Sequence, residues 1–264
     1  MTRFPRILAL AFLLAAVPVH SVGLPDTGQD LCSGDIAVDE GVAASNAASI
    51  AGDAGTHPRQ DCRYGRDAAG GFGVLTKIGA GPKGFDYTKI ANNGTTLAAD
   101  AELGGGVDSW ACTKDNITGL TWEVKVDNST DLRHAGHFYR WFNTDTSTNG
   151  GDSGSTGTNT CNATLPGNLC NTQAFTTAVN VAALCTFTDW RLPTRRELLT
   201  LVHAGTSAPS IAQSYFPNTS TLSFWTGSSF APNPARAWTV SFNDGDGNKF
   251  CHHSSFDTVG ALCL

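Results

Sequence analysis

Eight cysteines constrain this chain more than any other feature. They stand at Cys32, Cys62, Cys112, Cys161, Cys170, Cys185, Cys251 and Cys263, and no two are spaced C-x-x-C. That spacing excludes a zinc ribbon or a thioredoxin-type redox motif. Whether such a set forms disulfides depends on the compartment, and the N-terminus speaks to that. Arg3 and Arg6 precede an unbroken apolar run over residues 7–17, closed by Pro18. A bilayer span needs about 20 residues, so this run reads as a secretory leader. The leader is assigned to residues 1–23, with cleavage expected after Ser21 or Gly23. No cysteine stands at that point, so no lipid anchor is expected there, and no later segment has spanning length. The expected location is outside the cytoplasm: periplasmic, cell-surface or secreted.

In an exported chain, all eight cysteines are expected to pair. Eight allow 105 connectivities, and geometry removes some. Residues between Cys170 and Cys185 carry a helical apolar pattern, with Ala174, Phe175, Ala178, Val179, Ala182 and Ala183 on one face. A helix of about 12 residues is about 18 Å long, whereas a disulfide holds its Cα atoms within about 7 Å. If that helix forms, Cys170 and Cys185 are not expected to pair. Cys161–Cys170 could close a short Pro/Gly loop, Cys251–Cys263 could bridge a hairpin near Asp257, and Cys32–Cys62 could staple the N-terminal region. That would leave Cys112 with Cys185.

Charge narrows the function classes. The net charge is −6, and removing residues 1–23 takes away two arginines and no acid, giving −8. An acidic balance argues against a nucleic-acid partner. The aromatics divide the chain. All six tryptophans (110, 122, 141, 190, 225, 238) follow residue 109, whereas residues 24–109 hold 16 of the 29 glycines. Large aromatics supply most buried area. The core is therefore placed in residues 110–264, and residues 24–109 read as a Gly/Ala-rich irregular extension with short strands around 73–78.

Within 110–264, residues 119–126 alternate as a strand, and Phe138-Tyr-Arg-Trp-Phe142 reads as another. Residues 146–160 form a Ser/Thr/Gly/Asn loop. The helix after Cys170 is capped by Asn171 or Thr172. A second helix follows Pro193, where Thr194-Arg-Arg-Glu197 is a capping box. Short strands are expected at 223–226, 236–242, 249–252 and 259–264. The fold class is α+β: two helices and a small, mostly antiparallel sheet. Trp122, Trp190, Leu192, Leu198, Trp225 and Trp238 are expected to form its core.

The segment Cys185-Thr-Phe-Thr-Asp-Trp-Arg-Leu-Pro-Thr-Arg-Arg-Glu-Leu-Leu199 resembles the signature of the Lcl-type C-terminal domain of bacterial exported adhesin-like proteins. Thr118-Gly-Leu-Thr-Trp122, Tyr215-Phe-Pro-Asn-Thr219, Phe224-Trp-Thr-Gly-Ser-Ser229 and Ala237-Trp-Thr-Val-Ser-Phe242 match in order, and Leu24-Pro-Asp-Thr-Gly-Gln29 resembles the mature start of such proteins. The resemblance covers residues 110–264. It implies a C-type-lectin-like fold and attachment to glycans or to a cell-surface protein; a homo-oligomer is compatible with it. The family's sulfated-glycosaminoglycan binding is disfavoured by the acidic charge and by an end, Ala261-Leu-Cys-Leu264, without arginines. Trp190, Leu192, Pro193 and Thr194 also have a plain structural role, as core and helix cap.

No catalytic motif stands out. Gly151-Asp-Ser-Gly154 resembles a serine-protease segment but sits in a low-complexity loop, and His134 and His137 lack a triad context. His252 and His253 are adjacent, so on a strand they face opposite ways. Asn243-Asp-Gly-Asp-Gly-Asn248 offers hard oxygen ligands but reads first as a hairpin turn. Neither a metal site nor a cofactor is expected. Two loops, 145–160 and 226–236, are the candidate binding elements. Phe230 and Arg236 are the candidate contacts, with Trp225 as buried support. The expected function is a non-catalytic binding or adhesion module. The alternatives are an enzyme of the formylglycine-generating fold group, which needs a reactive cysteine pair, or a structural envelope protein.

Overall fold

A computed structural model describes residues 26–28, 31–32, 42–43, 65–71, 73–245, 250–252 and 259–260. The leader at 1–23, the Cys32–Cys62 and Cys251–Cys263 pairings, Asp257 and His253 fall outside the residues whose side chains are described.

Two four-stranded sheets take the place of the single expected sheet. A short pair, β1 (Leu31–Cys32) and β2 (Val42–Ala43), precedes a six-residue helix, α1 (Arg66–Gly71). The first large sheet holds β3 (Tyr87–Ala91), β4 (Thr96–Leu97), β5 (Trp110–Asp115) and β6 (Thr121–Glu123) in the order β4-β3-β5-β6, all antiparallel. The helices α2 (Thr172–Val181) and α3 (Arg195–Leu199) follow. The second large sheet holds β7 (Ser223–Ser229), β8 (Arg236–Ser241), β9 (Phe250–His252) and β10 (Val259–Gly260) in the order β10-β7-β8-β9. Its β10–β7 pairing is parallel and the others are antiparallel. The molecule is α+β, as the sequence patterns imply.

The expectation that residues 24–109 lie outside the core fails for their last part. Tyr87–Ala91 pairs along β5, and Phe85, Tyr87 and Ile90 are buried. The Phe85 and Tyr87 rings stack at 5.6 Å, and Tyr87 meets Tyr215 and Phe216 at 5.3 Å each. These partners are distant in sequence, which is why local composition hides the strand. No strand forms over 73–78; Val74 and Ile78 point into solvent. The earliest described residues are also docked. The Thr27 carbonyl accepts the Ala204 N–H at 2.7 Å, and Asp26 is buried. Gly28 lies so close to the His203 ring, at φ 69°, that a Cβ there has no room.

Two expectations about 119–142 need adjustment. The strand at 119–126 is regular only over Thr121–Glu123, with an isolated bridge from Val126 to His134. Phe138–Phe142 is extended but forms no ladder. Phe138 donates to the Thr160 carbonyl, Arg140 to the Cys170 carbonyl and Phe142 to the Thr172 hydroxyl. Its backbone groups are thus satisfied by loop and helix cap rather than by a strand partner.

Trp122, Trp190, Leu198 and Trp225 are buried as expected, whereas Leu192 and Trp238 are half-buried. One cluster joins Phe85, Tyr87 and Trp122 to Leu198, Phe224 and Phe242, tying both sheets to α3. A second surrounds Tyr139, Phe175, Trp190 and two disulfides, Cys112–Cys185 and Cys161–Cys170. The first disulfide fastens β5 to the turn before the Trp190 segment. The second closes the end of the 145–160 loop.

Candidate functional site

An open cleft of about 560 Å³ lies where four separate segments meet. Phe142 and Leu192, both half-buried, supply apolar surface. Thr144, Asp145 and Thr148 form one rim, Gln173, Thr176 and Thr177 of α2 a second, and Arg191 and Thr194 a third; Gly227 of β7 completes the wall.

Each segment is held from behind. The Asn171 side chain caps α2, accepting the Ala174 N–H at 2.8 Å. The buried Thr172 hydroxyl accepts the Phe142 N–H and donates to the Phe142 carbonyl, both at 3.0 Å, so the first turn of α2 fixes Phe142. Asn180 brackets Trp190: its amide oxygen accepts the Trp190 N–H at 2.7 Å, and its amide nitrogen donates to the Trp190 carbonyl at 2.9 Å. With the indole buried and donating to the Leu184 carbonyl, Trp190 is anchored and Arg191 is turned outward. Gly227 leaves the β7 ladder at a bulge and donates to the Pro193 carbonyl at 2.7 Å. The capping box is present: Thr194 accepts the Glu197 N–H, and the Glu197 carboxylate accepts the Thr194 N–H at 2.7 Å.

Arg191 forks onto the same carboxylate, at 2.8 and 2.6 Å. These bonds, foremost that from Arg191, hold the Glu197 carboxyl down at about 2. Across the cleft, the exposed Asp145 carboxylate accepts the Ser147 N–H and hydroxyl and the Thr148 hydroxyl, which lower its pKa. The 145–160 loop is densely bonded. Asn149 is buried and donates to the Asn143 carbonyl, and the Ser153 carbonyl accepts the Asn143 N–H. Gly154 sits at φ 77°, where any Cβ would strike the Trp141 carbonyl. The Gly151-Asp-Ser-Gly154 string therefore serves a turn, with Asp152 accepting the Gly154 N–H at 2.8 Å.

The two loops picked out from the sequence come together: a Cβ on Gly150 would touch both Ser229 and Pro234. Phe230 and Arg236, however, do not line the cleft. Phe230 is half-buried, and the ring it meets is Trp238, edge-on at 5.2 Å, rather than Trp225. The Phe230 N–H donates to the Arg236 carbonyl at 2.8 Å, closing the β7–β8 turn. The Arg195 guanidinium lies over the Trp238 ring, 4.2 Å from its centre. Sequence reasoning missed Phe142, Gln173, Thr176 and Thr177 as a surface. The one local signal was the polar face of α2, where Gln173 and Thr177 are four residues apart.

The histidines bond to backbone. His134 Nδ1 lies 3.3 Å from the Val126 carbonyl and His137 Nε2 3.2 Å from that of Ser129. Among the described residues, no three His, Cys, Asp or Glu side chains converge as metal ligands, and no helix is long and apolar enough to cross a membrane.

The chain is thus an α+β domain fastened by disulfides, with an open polar-rimmed cleft built beside a Trp-Arg-Leu-Pro-Thr block. Residues 111–258 match the family model of the Lcl C-terminal domain, and the chain belongs to that family. No curated protein matches the chain, and no solved structure does.

Proposed function

We propose that the chain is an exported, non-catalytic binding or adhesion module that engages a glycan on a cell or extracellular surface through the cleft. The observation that carries this reading is the cleft itself: half-buried Phe142 and Leu192 beneath a rim of hydroxyl and amide groups. Sugars offer the matching pattern of apolar C–H faces and peripheral hydroxyls, and pockets of this size with few placed polar groups are the usual form of a ligand site. Family membership supports the reading, and a C-type-lectin-like arrangement, with loops displayed from a rigid base, is part of the proposal. Export is supported by the two disulfides. Phe230 and Arg236 enter it as outer contacts for a ligand that runs past the cleft over Gly150. The enzyme alternative requires a reactive thiol pair; Cys112, Cys161, Cys170 and Cys185 are paired as disulfides.

The test is a glycan array probed with the protein and with Thr177→Trp, an exposed position where an indole would fill the cleft. Binding to array members that the substitution abolishes supports the reading. Binding that Thr177→Trp leaves intact sends the site elsewhere, and two titratable thiols in the folded protein would favour the enzyme.

A further inference from the structure

The hydrogen-bond polarity of the cleft restricts its ligand further than shape does. Six threonines line it, and five of their hydroxyl protons are already committed to partners within the protein. Thr144 donates to Gln173 Oε1, Thr148 to Asp145 Oδ2, Thr172 to the Phe142 carbonyl, Thr176 to the Thr172 carbonyl and Thr177 to the Gln173 carbonyl. A hydroxyl whose proton is committed keeps its lone pairs. Thr144, Thr176 and Thr177 therefore face a ligand as acceptors, with the Gln173 amide nitrogen as a neutral donor beside them. Asp145 adds a carboxylate on the same side.

The cation in the cleft is matched. The Arg191 fork is closed on Glu197, a carboxyl that stays ionised down to about pH 2. An arginine held by a bidentate carboxylate offers little net positive potential to a second anion. The chain as a whole is acidic, at −6.

We infer that the cleft selects an uncharged, hydroxyl-rich saccharide and rejects sulfated or phosphorylated ones, an inference that rests on the cleft being the binding site. Sugar hydroxyls supply protons to the open lone pairs of the threonine oxygens and accept from the Gln173 amide, and they bring no charge against Asp145. A sulfate brings only acceptors and a negative charge, and most of what its oxygens meet is threonine lone pairs and the Asp145 carboxylate, with only the neutral Gln173 amide to donate. Selection here arises as much from this mismatch as from attraction.

The experiment compares matched ligands: dextran against dextran sulfate, and the neutral and sulfated members of a glycan array, each with the parent protein and with Thr177→Trp. The expected result is binding to neutral members that Thr177→Trp abolishes. Sulfation of the same backbone should weaken that binding about tenfold or more, and raising salt should leave neutral binding unchanged, because few ions are displaced. Tighter binding of the sulfated member, abolished by Thr177→Trp and weakened by salt, overturns the inference while keeping the cleft as the site. Binding of either class that Thr177→Trp does not alter, or no binding to any member, overturns both.

Discussion

Trp141 and Trp225 each donate an indole hydrogen bond to the other's segment: Trp141 Nε1 to the Thr226 carbonyl at 2.9 Å, and Trp225 Nε1 to the Tyr139 carbonyl at 2.7 Å. Both rings are fully buried. The reciprocal pair fastens the ladderless stretch before the cleft to the second large sheet. Trp225→Phe retains most of the ring but leaves the buried Tyr139 carbonyl without its indole donor. The expected loss is about 1–3 kcal/mol, the cost of an unsatisfied buried polar group. Urea denaturation should show a lower midpoint with an unchanged slope; a midpoint equal to the parent's would exclude the role.

Glu123 and Lys125 form an ion pair at 2.7 Å with side-chain exposures of 2% and 5%. Burial pushes the Glu123 carboxyl up and the Lys125 amine down, each opposed by the other's charge. Removing one partner strands a charge in the core. Lys125→Met is expected to cost about 3–5 kcal/mol, and Glu123→Leu with Lys125→Met together should recover most of it. A double variant no more stable than the single one contradicts this account.

The two disulfides should differ in weight. Cys112–Cys185 closes a sequence separation of 73 and Cys161–Cys170 one of 9. Loop-entropy arithmetic gives about 4 kcal/mol for the first and about 2–3 for the second. Paired Cys→Ala variants, measured by thermal melting, should rank in that order. The reverse ranking would mean that the short loop organises the native state more than chain entropy allows.

The Arg191–Glu197 fork makes an acid-sensitive element of the cleft. The folded Glu197 carboxyl lies at about 2, below its ordinary 4.5. A depressed carboxyl contributes stability that is complete above about pH 4.5 and is lost as pH falls toward 2. Glu197→Gln should flatten this part of the stability–pH curve, with a modest effect at neutral pH because Arg191 is half exposed. An undiminished acid transition in the variant would assign it to another group.

Legibility from sequence followed the range of the forces involved. The capping box at Thr194 and Glu197, the Asn171 cap and the apolar face of α2 are local, and they fold where their residues say. β3 is not local. Tyr87 is buried because Tyr215 and Phe216 arrive from far along the chain and because β5 lies beside it. Its glycine-rich surroundings carry no sign of either. Phe138–Phe142 has strand composition yet bonds to a loop and a helix cap, a choice that alternation cannot encode. The cleft is the least legible feature, because it joins residues near 144, 173, 191 and 227 with no motif in common. The loop position of Phe230 suggests an exposed contact, but Trp238 beside it takes up part of its surface.

The bond between Thr27 and Ala204 sets a timetable. The segment around Thr27 cannot reach its final place until the turn around residue 204 is present, and the face of β3 likewise waits for Tyr215 and Phe216. These contacts therefore wait until residues 204–216 are available, and contacts of such long separation form slowly. In that interval the apolar face of β3 and the Cys112 and Cys185 thiols are open to wrong partners. Cys112 and Cys185 lie 73 residues apart, so their correct pairing depends on the same late docking that buries β3.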